Sequence, residues 1–149
     1  IDPRLGREFA DHRKHPGSVM HPYNLIGMGY RLGADPERHG AADCLTLAKA
    51  VLEYQGVITP PAQRSWYRRL RRGDTDVFRE ELQRWGSVVD APKLVTVALC
   101  HSDLGYGMAT YFEGGWIHYG MAQTSCGVSV ARWSPIDALP VEEFFSPTN

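Results

Sequence analysis

Along the chain the spacing of apolar residues changes once, dividing the sequence into a helical part and a strand part. Asp43 is followed by Leu45, Leu47, Ala48, Val51, Leu52 and Tyr54, and then by Gly56. A capping side chain, an apolar run at helical spacing and a glycine stop predict a helix here. Apolar positions on nearly every side predict that it is central and buried. A second helix is expected from about Pro61 to Arg72, with Trp66 and Leu70 on one side and Arg64, Arg68, Arg71 and Arg72 on the other. A third, from about Asp76 to Trp85, aligns Phe78, Leu82 and Trp85 and is closed by Gly86.

After Pro92 the period shortens. Leu94 to Cys100 and Met108 to Phe112 are apolar runs of strand length, and Trp116 to Tyr119 and Val128 to Trp133 are two more. Glu113-Gly114-Gly115 is a turn, so Phe112 and Trp116 flank a tight hairpin. Helices first and an antiparallel meander second define an α+β domain. Residues 1–22, with Asp11, His12, Arg13, Lys14, His15, Pro16 and Gly17, read as an irregular arm, and the segment from Leu25 to Gly40 as a glycine-rich loop. Residues 23–149 then form a single domain.

Composition narrows the classes. A length of 149 residues with 43% apolar and 22% charged side chains suits one domain with its own core. A net charge of −1 points neither to nucleic acid nor to an anionic membrane. Cys44, Cys100 and Cys126 are odd in number and show no Cys-x-x-Cys spacing, which argues against a disulfide framework and a zinc site and for reduced thiols. No apolar run is long enough to cross a membrane, and the polar N-terminus shows no secretion signal, so a soluble chain of open localisation is expected.

Candidate chemistry begins at Cys44, in the first turn of the predicted central helix directly after its cap. Unpaired amide N–H groups and the positive end of the helix dipole stabilise a thiolate at such a place. A small apolar residue filling the helix start is the structural alternative. His12 and His15, with Asp11 and His21 nearby, have a spacing able to hold a metal on a helix, but the neighbouring glycine and proline oppose that helix; neither metal nor cofactor is expected. The arginines around Trp66-Tyr67 fall on one helical face, as in any solvated amphipathic helix; interleaved with aromatics they are able to grip nucleic acid, and an acidic protein surface is an equally good partner for such a face.

Tyr30-Arg31-Leu32-Gly33, then Gly40-Ala41-Ala42-Asp43-Cys44 with Leu45 and Leu47, then Gly56-Val57 and Pro60, resemble the NlpC-type pattern of papain-like cysteine peptidases that cut bacterial cell-wall peptides. In that pattern a Tyr-Arg-x-Gly-Gly loop leads to Gly-x-Asp-Cys-Ser-Gly-Leu and a helix ending in Gly-Ile-x-Leu-Pro. The strand at 94–100, the strand with Gly107 and Tyr111, the glycine turn, Ile117-His118 and Gly127-Val128 extend the resemblance over about residues 28–133. It implies a papain-like fold with helices packed on an antiparallel sheet, Cys44 as nucleophile, His118 as the residue that orients the base, and Tyr30 and Asp43 shaping the pocket.

Three departures bear on activity. Leu45-Thr46 replaces Ser-Gly, Ala34 replaces the second loop glycine, and the strand that opens with the family's catalytic histidine reads Tyr106-Gly107-Met108. A papain-like mechanism needs an imidazole that keeps the sulfur ionised and later protonates the leaving amine, and a tyrosine with a pKa near 10 is a poor substitute. His101 folding back, or His118 itself, are the two ways to fill the gap. The resemblance, with the base missing, implies a catalytically impaired structural or adaptor subunit of a larger assembly such as a phage tail, a virion location included. An active peptidase or amidase and a non-cleaving peptidoglycan-peptide-binding module are the alternatives.

Overall fold

The computed structural model describes residues 20–120 and 130–147. A 3-10 turn at Pro22–Asn24 leads into a two-residue strand, β1 (Gly29–Tyr30), a short helix, α1 (Pro36–His39), and β2 (Ala41–Ala42), which pairs with β1 in parallel. Three helices follow: α2 (Cys44–Tyr54), α3 (Trp66–Arg71) and α4 (Asp76–Trp85). The remaining strands are β3 (Gly86–Val89), β4 (Val97–Ser102), β5 (Gly105–Phe112), β6 (Gly115–His118), β7 (Arg132–Pro135) and β8 (Val141–Pro147). They build a six-stranded antiparallel sheet in the order β3-β8-β4-β5-β6-β7.

The helices pack on one face of this sheet, and the mixed helix-and-sheet arrangement is that of an α+β protein. Leu45, Leu47, Ala48, Val51 and Leu52 of α2 share a core with Phe78, Leu82 and Trp85 of α4 and with Val97, Leu99, Met108, Phe112 and Ile117 of the sheet. Burying each large side chain of this kind contributes about 2 kcal/mol. Thr46, Lys49, Ala50 and Glu53 form the one stripe of α2 turned outward, so the helix is central without being enclosed. A second, smaller cluster of Ala98, Cys100, Ala109 and Trp116 lies on the opposite face of the sheet. All four tryptophan indole N–H groups donate, to the Val77 carbonyl, the Glu81 carboxylate, the Ile136 carbonyl and the Phe112 carbonyl, which is the condition for burying a tryptophan without loss.

The hairpin between β5 and β6 turns at Glu113 and Gly114, both with positive φ (51° and 80°), and pairs Phe112 with Gly115. Two left-handed residues match the strand twist of a two-residue hairpin. Three expectations change. The helix predicted over 61–72 is confined to Trp66–Arg71, because Pro60 and Pro61 hold the preceding chain extended and Lys49 Nζ ties down Thr59 Oγ1 and the Pro60 carbonyl, each at 2.6 Å. The meander is extended by β3 and β8, and β8 inserts between β3 and β4, so β4 is internal. Gly86 opens β3 in extended backbone, since a Cβ there would stand 2.0 Å from the Ser146 carbonyl oxygen of β8. Residues 1–19 of the expected arm (residues 1–22) and the start of the expected last strand (residues 128–129) lie outside the described residues.

Candidate functional site around Cys44

Cys44 is the first residue of α2, and the local sequence fixes it there. Asp43 caps the helix: its Oδ1 accepts the Thr46 amide at 2.9 Å while Thr46 Oγ1 accepts the Asp43 amide at 2.9 Å, a reciprocal capping box. The second oxygen, Oδ2, accepts the Gly33 amide at 2.7 Å and so anchors the preceding loop. Asp43 is fully buried, with the Tyr67 phenol of α3 nearby. The carboxylate ties the loop at Gly33 to the start of α2.

Three phenols surround this node. Tyr30 and Tyr119 meet edge to face with ring centroids 5.2 Å apart, and Tyr119 Oη donates to the Gly29 carbonyl at 3.0 Å. The Tyr30 hydroxyl is buried and finds no hydrogen-bond partner. Burial, then the neighbouring Cys44 and Asp43, hold the Tyr30 and Tyr119 hydroxyls well above the range of a free phenol; burial and the nearby Asp43 charge do the same for Tyr67. All three are locked in the neutral form at physiological pH, able to donate but not to take a proton from a thiol.

The sheet decides what else faces the sulfur. The helix-facing positions of β5 are Tyr106, Met108, Thr110 and Phe112, since Thr110 pairs with Val97 and Ile117 of the same core. A base delivered to Cys44 from this strand would occupy one of these places, and none is histidine. Gly107, one of the two expected base positions, faces the other way.

Of the expected site residues, Cys44, Asp43 and Tyr30 come together, and His118, His101 and Tyr106 do not join them. His118 shares the sheet face of Trp116, opposite to Ile117 and Tyr119, so its role as orienter at Cys44 is not what this geometry provides. There its Nε2 lies 2.8 Å from Ser134 Oγ, and it borders a small cavity with Cys100, Ala109 and Leu139. Burial, and secondarily Arg132, pull its imidazole down to about 4. His101 stacks on Tyr106 at 4.4 Å, and its Nδ1 stands 3.4 Å from Glu142. Tyr106 in turn carries the Arg79 guanidinium over its ring at 5.2 Å and donates its amide to Thr75 Oγ1 at 3.0 Å. The remaining described histidines are engaged locally: His39 Nδ1 accepts the Asp35 amide at 2.8 Å, and His21 Nδ1 accepts the Tyr23 amide at 3.1 Å.

Tyr67 and Tyr119 are the site residues that sequence reasoning missed. Tyr67 stands in the sequence as an aromatic among arginines, and Tyr119 is the immediate neighbour of the histidine that attracts attention. A concavity of about 100 Å³ lies beside α2, but its walls are Asp35, Glu37, Thr46, Lys49 and Glu53, on the solvent-facing stripe rather than at Cys44. Among the described residues no group of three or more histidine, cysteine or carboxylate side chains is arranged to hold a metal. Their helices are also too short or too polar to cross a membrane.

A solved structure, NlpC2 from Trichomonas vaginalis, matches this chain with a TM-score of 0.53 at 16% identity, over 86% of this chain and 44% of that one. The chain thus has an NlpC-like fold and spans less than half the length of that relative. No family model matches the sequence, and no curated protein does.

Proposed function

We propose that this chain is an NlpC-like domain that does not hydrolyse amides and serves as a structural or adaptor subunit of a larger assembly, with a phage tail the setting that the motif resemblance suggests. One observation carries the reading. Among the described residues, those near Cys44 include three neutral phenols and a capping carboxylate already bonded to the Gly33 and Thr46 amides, while each described histidine is engaged elsewhere. None of the described histidines is placed to keep the Cys44 thiol ionised or to protonate a leaving amine, the two tasks an imidazole performs in such a mechanism. Tyr30, Tyr67 and Tyr119 instead pack the loop, α3 and the sheet onto the start of α2, which suits a rigid building block.

The rival reading, a cysteine peptidase or amidase acting on peptidoglycan through Cys44, keeps one observation in its favour: the sulfur does sit at a capped helix start. Alkylation of the folded protein with iodoacetamide across a pH series, with peptide mapping of Cys44, separates the two. An inert thiol reacts little below about pH 8, and an activated one reacts readily there. In parallel, purified peptidoglycan is incubated with the wild-type chain and with Cys44→Ala. Release of peptide fragments that the folded variant has lost would overturn the proposal; binding of muropeptides without turnover would move the role to a recognition module.

A further inference from the structure

Arg64, Arg68, Arg71 and Arg72 are all exposed and lie along the solvent side of α3 and its flanks. The helix cannot roll to hide them. Trp66 is buried with its indole N–H on the Val77 carbonyl, and Tyr67 packs against the core. Arg71 and Arg72 stand three and four residues after Arg68, the spacing that makes side chains neighbours on a helix, and Arg64 lies in the turn that leads into α3.

Elsewhere the chain supplies its arginines with carboxylates. Arg69 binds Asp74 at 2.7 Å and Glu80 at 2.6 Å, Arg84 binds Glu81 at 2.8 Å, and Arg79 lies 4.0 Å from Asp76. Among the described residues no carboxylate comes within ion-pair distance of Arg64, Arg68, Arg71 or Arg72. Four like charges within two helical turns repel one another. The overall charge is −1, so this is a local concentration on a chain with no general basic character.

We propose that this arginine stripe docks an acidic protein segment, whose carboxylates the guanidinium forks hold in pairs of parallel hydrogen bonds. Nucleic acid fits less well, because the aromatic residues of the segment, Trp66 and Tyr67, are turned inward and leave no platform for bases. The inference rests on the assembly reading above and names the surface through which assembly takes place.

The test uses a fluorescein-labelled oligoglutamate peptide and fluorescence anisotropy with the full chain at low and at physiological ionic strength. The expected result is saturable binding, weakened by salt and reduced about tenfold or more in Arg68→Glu/Arg72→Glu. Arg31→Glu/Arg38→Glu, which alters two exposed arginines outside the stripe, should leave binding unchanged. Far-UV circular dichroism checks that both variants are folded, and Arg68→Gln/Arg72→Gln gives a milder change should the reversal unfold the chain. Absence of binding, equal loss in both double variants, or tighter binding of an oligodeoxythymidylate than of the peptide would overturn the proposal. Failure here with Cys44 still unreactive removes the surface alone; peptidoglycan cleavage would remove the assembly reading itself.

Discussion

Removing the Asp43 carboxylate should cost this fold about 2 kcal/mol, although the side chain stands beside the candidate nucleophile. In Asp43→Ala the Thr46 amide loses its cap acceptor, formerly at 2.9 Å, a change that costs about 1 kcal/mol at a helix start. The Gly33 amide, formerly 2.7 Å from Oδ2, loses its acceptor as well. A buried donor left without a partner costs about 1–3 kcal/mol, and water replaces part of that at Gly33, whose residue is exposed. The sum is about 2 kcal/mol, equivalent to a fall in melting temperature of roughly 6 °C for a chain of this size. Asp43→Asn keeps one acceptor oxygen but points an amide nitrogen at one of the former donors, so about half of the loss remains. Urea unfolding followed by circular dichroism gives the measurement, with an unchanged slope showing that stability alone has moved. An Asp43→Ala variant within about 0.5 kcal/mol of wild type would refute the idea that this carboxylate organises the loop and the start of α2.

Stability should fall in acid partly through His118. Its folded imidazole titrates at about 4, below the ordinary value of about 6.5, so the unfolded chain binds the proton first as pH drops. The contribution is complete above about pH 6.5 and is lost on the way down to about 4, on the order of 2 kcal/mol. His118→Gln should flatten that part of the pH dependence of the urea midpoint, and identical curves for the two proteins would contradict it. Cys100, whose thiol burial pushes up to about 12, should resist iodoacetamide in the folded state and react once the chain is unfolded, as read by peptide mapping. Gly115→Ala places a Cβ 2.3 Å from the Trp133 ring and 2.4 Å from the Ser134 carbonyl oxygen. It should destabilise by about 2 kcal/mol or more in thermal unfolding, and a neutral result would mean that β6 and β7 can separate at that point.

The elements that the sequence announced are those whose signals are local. Helix α4 spans Asp76–Trp85 as its apolar spacing predicted, and α2 begins after Asp43 and ends before Gly56, because a cap and a glycine act within a few residues of themselves. Helix α3 was overdrawn at its N-terminal end because the anchor that keeps Thr59 and Pro60 extended is Lys49, on a different helix. Strands β3 and β8 escaped for a related reason. Val88 is exposed at a sheet edge and β8 is bracketed by Pro140 and Pro147, so neither shows a clean alternation, and their pairing is visible only once both are in place.

The site divides along the same line. Asp43, Cys44 and Tyr30 belong to a loop and a helix start whose motif is contiguous, and they meet as expected. His118 belongs to a strand, where side-chain direction reverses at every residue and a motif letter says nothing about which face it serves. Pairing of Thr110 with Ile117 fixes the parity of β6, sending Ile117 and Tyr119 toward α2 and His118 toward Cys100. A one-residue shift of that pairing would exchange Tyr119 for an imidazole. The difference between a chain with a candidate base and one with a buried phenol therefore lies in the register of one hairpin, held by the positive φ of Glu113 and Gly114 and by the Trp133 ring packed over Gly115.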